Sequence, residues 1–245
     1  QTERESQMRI LVTGGAGYVG SVLVPYLLHQ GYDVRVFDLL IYGDVGLAGV
    51  KDNIEIIEGT IMHPPEGLMD DIFAVIHLAG VASQAFSSTN SPRYTDKINH
   101  IGTEIMASYA KQKGVERFIL ASSCSVYCSY THELDTRLPL YKETDIPPMA
   151  GPYALSKWAA EEVLLEMADT DFHPVIFRMG TLYGFSPKMR YDLVVNAFTK
   201  DAFVNKKMNV HAGGEIFRPL TDIHDVVFAY TRALELPVSL IDKQI

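Results

Sequence analysis

The sequence predicts an α/β protein whose centre is a Rossmann-type doubly wound parallel sheet, followed by a small, incomplete C-terminal lobe. Short apolar stretches alternate with stretches of helical periodicity, which is typical of β-α-β units. The apolar stretches are almost continuous, as expected for strands covered by helices on both faces. A glycine-rich turn directly follows the first of them. Together these three features favour one sheet wound in both directions.

The N-terminal half of the chain contains four predicted strands. Met8–Thr13 is an apolar run that ends in the glycine-rich turn, and a helical pattern then extends from Tyr18 to Gln30. Gly31 follows that pattern and is a common helix terminator. The next three predicted strands are rich in β-branched and aromatic residues. They are Asp33–Asp38, Asn53–Glu58 and Phe73–Leu78.

The second half continues the alternation as far as Arg178 and then becomes mixed. Its predicted elements are a helix over Pro92–Gly114, a strand at Arg117–Ala121, a helix over Tyr153–Asp169 and a strand at Pro174–Arg178. We therefore predict a Rossmann domain over residues 1–178, with the helix 153–169 as part of it, and a partial second lobe over residues 179–245. A further helix over 222–236 is expected to pack back on the first domain.

Composition excludes several classes of function. The net charge of −9 disfavours nucleic acid as a partner, because phosphate binding requires a basic face. No apolar run reaches the about 20 residues needed to span a bilayer, so we predict no membrane partner. Two cysteines do not form a disulfide framework, and together with a polar N-terminus they favour a cytoplasmic protein. The eight histidines show no metal-ligand spacing, and we predict no metal site.

The glycine-rich turn predicts a dinucleotide site. It reads Thr13-Gly-Gly-Ala-Gly-Tyr-Val-Gly20 and lies between a strand and a helix. Glycines allow the backbone to approach a pyrophosphate, and the helix N-terminus offers N–H groups to the phosphates. Asp38, 18 residues after Gly20, ends the second strand, where a carboxylate binds ribose hydroxyls. Because that carboxylate repels a 2′-phosphate, NAD is favoured over NADP.

A second motif predicts proton transfer. Tyr153 and Lys157 are one helical turn apart and share a helix face. A nearby ammonium lowers the pKa of a phenol, so we expect Lys157 to make Tyr153 a usable base near neutral pH. Ser123, just beyond a strand, is expected to donate a hydrogen bond to the reacting oxygen. This triad would oxidise a carbinol next to a nicotinamide ring.

Six segments, one of which contains the Tyr153/Lys157 motif, follow the glycine-rich turn in a characteristic order. They are His77-Leu-Ala-Gly80, Asn99-x-x-Gly102-Thr103, Ser122-Ser-Cys-Ser-Val-Tyr127, Pro152-Tyr-Ala-Leu-Ser-Lys157, Arg178-x-x-x-x-Tyr183-Gly184 and Phe217-Arg-Pro-Leu-Thr-Asp222. On these segments the chain resembles the extended short-chain dehydrogenase/reductase family, in its branch of nucleotide-sugar epimerases and dehydratases. The resemblance covers nearly the whole chain.

The resemblance implies roles for individual residues. It implies that Ser123, Tyr153 and Lys157 are catalytic and that Lys157 also contacts the nicotinamide ribose. The residues that it implies to bind NAD are Gly14, Gly17, Tyr18, Val19, Gly20, Asp38, Thr60, Ile61, Leu78, Ala79, Gly80 and Asn99, with Tyr153 and Lys157. Those that it implies for the sugar-nucleotide substrate are Ser123, Thr181, Asp192 and Arg218. It also implies a homodimer formed through the two long helices.

The chain departs from the family pattern at several positions. Cys124 and Ser125 stand where dehydratases of the family carry Asp and Glu, and these residues do not supply the acid and base of a dehydration. Thr181 replaces a common Asn, and Thr60 replaces a common Asp near the adenine. Family members also continue beyond the point where this sequence stops, so we expect the substrate lobe to be incomplete.

We therefore predict an NAD-dependent nucleotide-sugar epimerase-like enzyme that oxidises a sugar carbinol transiently to a ketone. Alternatives on the same fold are a nucleotide-sugar reductase or dehydrogenase and a 4,6-dehydratase. A third hypothesis is a non-catalytic NAD-binding sensor or scaffold.

Overall fold

A computed structural model of the chain describes residues 8–82, 92–127, 141–145, 150–210 and 218–241. Its main sheet has six strands in the order β3-β2-β1-β4-β5-β6, all parallel. The strands are β1 (Arg9–Thr13), β2 (Asp33–Asp38), β3 (Glu55–Glu58), β4 (Ile72–His77), β5 (Arg117–Ser123) and β6 (His173–Met179). The predicted doubly wound parallel sheet is confirmed, with strand ends that differ from the prediction by one or two residues.

The strand order places a crevice at the carboxyl ends of β1 and β4. The chain proceeds outward from β1 through β2 to β3, and then returns to the other side of β1 with β4. In doubly wound sheets ligands bind where the winding direction reverses, because the loops that follow the two central strands separate there. The glycine-rich turn follows β1, and Leu78 follows β4.

The helices follow the predicted pattern with one interruption and one addition, the helix over Val194–Asn205, which the sequence analysis did not predict. They are α1 (Gly20–His29), α2 (Pro92–Asp96), α3 (Gly102–Gln112), α4 (Pro152–Met167), α5 (Val194–Asn205) and α6 (Ile223–Glu235). Between α2 and α3 the chain forms a π-helical turn over Lys97–Ile101. The long predicted helix over 92–114 is therefore wrong in its interior: the wider turn rotates the side chains of this stretch relative to a regular helix.

Each face of the sheet is covered by its own apolar core. Ile10 and Val12 of β1 point into one core together with residues of α1 and α6. Leu11 points into the other, together with residues of α3 and α4. This alternation follows from the two-residue side-chain period of a strand. Helix α6 packs against the first core through Val227 and Tyr230, whereas a domain boundary at residue 178 stays a prediction.

The region after β6 contains a small second sheet that the sequence analysis did not identify. Strand β7 (Thr181–Tyr183) pairs in parallel with β8 (Leu220–Asp222). Asp222 then caps α6, since its carboxylate accepts a hydrogen bond from the backbone N–H of His224 at 2.8 Å. Strands of three residues are too short to show a recognisable alternation. No helix in the described ranges is long and apolar enough to cross a bilayer.

Candidate active site

The glycine-rich turn packs directly against the segment that follows β4. Gly14 has a φ of +70°, and a Cβ added there would lie 2.7 Å from the backbone nitrogen of Ala79. A Cβ added to Gly20 would lie 2.3 Å from the carbonyl oxygen of Gly15. Both positions therefore require glycine, the first for its conformation and close contact and the second for the packing of α1 on the turn.

Asp38 lies at the end of β2, beside this turn. Its carboxylate accepts hydrogen bonds from the backbone N–H groups of Ala16, at 3.0 Å, and Leu40, at 2.9 Å. Thr60 and Ile61 follow β3 on the same edge of the sheet, and Ile61 is buried against Gly102 of α3. The predicted adenosine-side residues thus lie along the carboxyl edge of β2 and β3.

The segment after β4 forms the floor of the crevice. The backbone N–H of Leu78 donates to the carbonyl of Thr13 at 3.0 Å, and that of Ala79 donates to the Thr13 hydroxyl at 3.2 Å. Asn99 is buried on the π-helical turn. Its side-chain oxygen accepts a hydrogen bond from the backbone N–H of Val81 at 2.7 Å, and its amide nitrogen donates to the Val81 carbonyl at 3.0 Å. The predicted residues Leu78, Ala79 and Gly80 are therefore held between β1 and the π-helical turn.

The predicted catalytic residues meet at the end of β5. Tyr153 is almost completely buried, and its phenol lies beside the Ser123 hydroxyl, which lowers the pKa of the phenol. Lys157 is also buried and donates from Nζ to the carbonyl of Ala121 at 2.9 Å. A Cβ added to Gly80 would lie 3.5 Å from Lys157 Nζ, so this amine faces the crevice floor. The triad therefore borders the crevice that the glycine-rich turn also borders.

The electrostatics of Tyr153 differ from the expectation. Burial raises the pKa of Tyr153, while the hydrogen bond with Ser123 and the charge of Arg190 lower it. We expected Lys157 to lower this pKa, and that expectation is wrong for the arrangement described, because Lys157 turns towards Ala121. Burial lowers the pKa of Lys157 itself to about 8, against an opposing contribution from Glu161.

Arg190 is a site residue that the sequence analysis missed. Its guanidinium donates to the carbonyl of Ala82 at 3.0 Å and to Asp192 at 2.6 and 3.1 Å. The Arg190 guanidinium in turn holds the pKa of Asp192 below its usual range. The Arg-x-Asp spacing was the available signal, but only the fold brings Arg190 towards Tyr153.

The predicted substrate residues are spread over the second sheet and the segment beyond it. Thr181 begins β7, and its backbone N–H donates to the carbonyl of Pro219 at 2.8 Å. Arg218, next to Pro219, is exposed. Asp192 is exposed and paired with Arg190. In the described ranges no contact joins Arg218 to Ser123 or Tyr153, so its predicted role in substrate binding stays a prediction.

The segment 184–196 is joined to the glycine-rich turn by the side chain and backbone of Tyr18. The Tyr18 hydroxyl donates to the carbonyl of Gly184 at 2.7 Å and accepts from Asn196 Nδ2 at 3.2 Å. The Ser186 hydroxyl donates to the carbonyl of Tyr18 at 2.7 Å. Tyr18, predicted to contact the cofactor, therefore also connects the cofactor turn to the segment that carries Arg190.

A buried ion pair supports α4, the helix that carries Tyr153 and Lys157. Glu161, one turn after Lys157 on α4, pairs with Arg178 of β6 at 2.7 Å, and both side chains are almost fully buried. Glu161 also accepts a hydrogen bond from Ser122 of β5, and Arg178 donates to the Tyr127 hydroxyl at 2.7 Å. These contacts hold α4 against the ends of β5 and β6.

Sequence comparison agrees with this arrangement. A model of the NAD dependent epimerase/dehydratase family matches residues 10–245. The chain belongs to this family.

Among the relatives, the UDP-glucose 4-epimerase of Erwinia amylovora is 33% identical over 173 residues, which cover 66% of this chain and 49% of that protein. The UDP-glucose 4-epimerase of Haemophilus influenzae is 32% identical over 191 residues, covering 74% of this chain and 53% of that protein. The chain thus spans about half the length of these two curated family members.

Solved structures of family members share the fold. The UDP-glucose 4-epimerase of Thermotoga maritima with UDP-glucose superposes with a TM-score of 0.78 at 29% identity, covering 93% of this chain and 74% of that chain. The UDP-glucuronic acid 4-epimerase of Bacillus cereus, solved with UDP-glucuronic acid and NAD, superposes with a TM-score of 0.81 at 25% identity, covering 94% of this chain and 74% of that chain.

The residues around the glycine-rich turn are suited to bind NAD, the dinucleotide named in the family's description. Gly14 and Gly20 leave no room for a side chain, so the turn keeps the close backbone contacts on which a phosphate-binding loop depends. Asp38 places a carboxylate at the end of the neighbouring strand. Within the described ranges the N–H groups of Tyr18 and Val19, at the N-terminus of α1, have no protein acceptor and can donate to phosphate.

Proposed function

We propose that this chain carries the cofactor and catalytic site of an NAD-dependent nucleotide-sugar epimerase-like enzyme. The observation that supports it most directly is the position of the buried Tyr153 and Lys157, with Ser123 beside Tyr153, at the carboxyl edge of the sheet that carries the glycine-rich turn. An acid–base pair beside a dinucleotide crevice is the arrangement that reversible carbinol oxidation requires.

In this proposal Gly14, Gly17 and Gly20 with the N–H groups of Tyr18 and Val19 hold the pyrophosphate, and Asp38 holds the adenosine ribose. Leu78, Ala79 and Gly80 line the nicotinamide half. When bound, NAD would supply a reversible hydride acceptor for the sugar carbon. The remaining steps belong to protein side chains.

Tyr153 in its phenolate form removes the hydroxyl proton from the sugar, and Ser123 donates a hydrogen bond to the same oxygen as it becomes a carbonyl. Arg190 favours the phenolate electrostatically. Tyr153 would return the proton to the same oxygen after the keto sugar has turned its other face towards the cofactor, and the carbon would thereby be inverted. Thr181, Asp192 and Arg218 are proposed to contact the nucleotide sugar.

The test is to incubate the purified protein with UDP-glucose, UDP-galactose and other sugar nucleotides, without added cofactor and in a parallel reaction with added NADH, and to identify products by NMR and mass spectrometry. Interconversion of a C4 pair supports the epimerase. Net consumption of NADH supports the reductase instead, loss of water supports the dehydratase, and NAD binding without any turnover supports the sensor.

Tyr153→Phe tests the role of the phenol. We expect turnover to fall by about 10²–10⁴-fold, because the base is lost, while bound NAD is retained, because the ring still fills its site. Turnover is measured by coupled assay and NAD by absorbance of the denatured protein's supernatant. Unchanged turnover would refute the mechanism.

Two finer features are also proposed. We infer a homodimer through the two long helices, supported by the family resemblance and by Leu155, which is 51% exposed on α4. Light scattering during gel filtration tests it, and a monomer mass at all concentrations contradicts it. A cytoplasmic location is supported by the low cysteine content, and fractionation of expressing cells tests it.

A further inference from the structure

His77, the last residue of β4, is buried at the centre of a chain of hydrogen bonds. Its Nδ1 lies 2.8 Å from the Thr13 hydroxyl, and its Nε2 lies 3.2 Å from the Thr103 hydroxyl. Only 1% of the residue is exposed, and the ring of Phe118 lies 5.4 Å away. Both ring nitrogens thus contact hydroxyls on different elements, β1 and α3.

The positions of the protons follow from the partners of the two hydroxyls. The Thr103 hydroxyl donates its only proton to the carbonyl of Asn99 at 2.6 Å, so towards His77 it can only accept. Nε2 of His77 must therefore carry a proton, and in a neutral ring Nδ1 is then an acceptor. The Thr13 hydroxyl donates to Nδ1 and keeps a lone pair for the N–H of Ala79.

Neither other state of the ring satisfies these contacts. With the proton on Nδ1, the lone pairs of Nε2 and the Thr103 oxygen would face each other, and the Thr13 proton would lack an acceptor in the described surroundings. An imidazolium would place a charge in an apolar site that already contains the Lys157 ammonium; burial, with that charge, lowers the pKa of His77 to about 3.

We propose that His77 is a positioning residue which, as the neutral Nε2–H tautomer, connects the floor of the cofactor crevice to the π-helical turn. Through Thr13 it orients the N–H of Ala79, and through Thr103 it holds the backbone of Asn99. The Asn99 side chain in turn contacts Val81 and donates to Ser156 of the catalytic helix at 3.1 Å. Crevice floor and catalytic helix are thereby kept in one arrangement.

The first experiment determines the tautomer in the wild-type protein, by two-dimensional NMR of ¹⁵N-histidine-labelled material. The ring is assigned through its contact with Phe118. We expect a protonated Nε2 and an unprotonated Nδ1, unchanged from about pH 8 to about pH 5 because the ring stays neutral. A proton on Nδ1, or an imidazolium within this range, overturns the proposal.

The second experiment tests the positioning and rests on the proposed NAD binding. Thr103→Val keeps the shape of the side chain and removes the hydroxyl, whereas Thr103→Ser keeps the hydroxyl. We expect the valine variant to bind NAD about tenfold more weakly, since the buried Nε2–H loses its acceptor, and the serine variant to recover most of that loss. Equal NAD affinity in the valine variant and the wild type overturns the positioning role. No NAD binding by the wild-type protein would instead refute the proposed function and leave the tautomer result valid.

Discussion

At the scale of single residues, burial shifts the pKa values of Tyr153 and Lys157 more than charged partners do. Tyr153 and Lys157 lie on one face of α4, as their spacing predicts, yet the pKa of each is shifted first by loss of solvent. The positive charge that favours the Tyr153 phenolate comes from Arg190, which is 37 residues away in the chain. A local motif thus predicts the reacting groups without indicating their electrostatic partners.

Lys157 predicts an alkaline limit to activity. Its pKa is lowered from 10.5 to about 8, so above that pH the folded protein loses the ammonium proposed to contact the nicotinamide ribose. We expect kcat/KM to fall as pH rises through about 8. Between about pH 8 and pH 10.5 the Lys157 side chain binds more protons in the unfolded chain than in the folded protein. Its contribution to the free energy of unfolding therefore increases as pH rises from about 8 to 10.5.

The measurement is a pH profile of initial rates together with urea unfolding at each pH. Lys157→Arg is the matched variant, because arginine keeps its charge across this range. Its remaining activity should show no decline near pH 8; the same decline in both proteins would assign the limit to another group.

Gly20→Ala tests the close packing of the turn. A methyl group there would meet the Gly15 backbone, so we expect an unfolding free energy lower by about 1–3 kcal/mol and weaker NAD binding. Gly49→Ala is the control, because a Cβ there has no atom within 4 Å and its φ is ordinary. Urea unfolding and NAD titration measure the two effects. Equal effects in both variants would contradict the packing argument.

At the scale of elements, the site depends on contacts between segments distant in the chain. The segment 184–196 contacts the turn before α1 through Tyr18, Ser186 and Asn196. Helix α4 is held to β5 and β6 by the buried Glu161–Arg178 pair. Loss of one partner of such a pair costs about 3–5 kcal/mol, since it leaves an uncompensated buried charge. The residues proposed for catalysis and for the cofactor are therefore joined by direct contacts between these elements.

Tyr18→Phe tests the connection between the cofactor turn and the segment 184–196. We expect the unfolding free energy to fall by about 1–2 kcal/mol, because a buried carbonyl and a buried amide lose a partner. We also expect a higher KM for the sugar nucleotide, since Arg190 lies on this segment. Tyr42→Phe, at a tyrosine that is 77% exposed, is the control. A Tyr18 variant that matches the control in both steady-state kinetics and urea unfolding would contradict the connection.

At the scale of the whole molecule, the lowered pKa of His77 makes the free energy of unfolding depend on pH. Its pKa is about 3 in the folded state against 6.5 ordinarily, so the unfolded chain binds more protons between these values. We expect the unfolding free energy contributed by this group to decrease as pH falls from about 6.5 towards 3. Urea unfolding at a series of pH values measures it. His77→Asn should show a shallower dependence, and the same dependence in both proteins would contradict the assignment to His77.

Most of the sheet could be predicted because its strands are rich in apolar residues and several are followed by a turn or helix signal. The π-helical turn could not, since the sequence 97–101 continues a helical pattern, and the widened turn reflects the contacts of Asn99 with Val81 and Ser156. Strands β7 and β8 were missed because each contains three residues and they pair across about forty positions.

The sequence by itself determined the fold class, the glycine turn, the acidic end of β2 and the Tyr153–Lys157 spacing, because these depend on residue types at short separations. Only the tertiary structure decided that Arg190 influences Tyr153, that Tyr18 bonds the segment 184–196 and that His77 joins β1 to α3. Such contacts connect residues tens of positions apart, and their energies depend on burial that no local pattern contains.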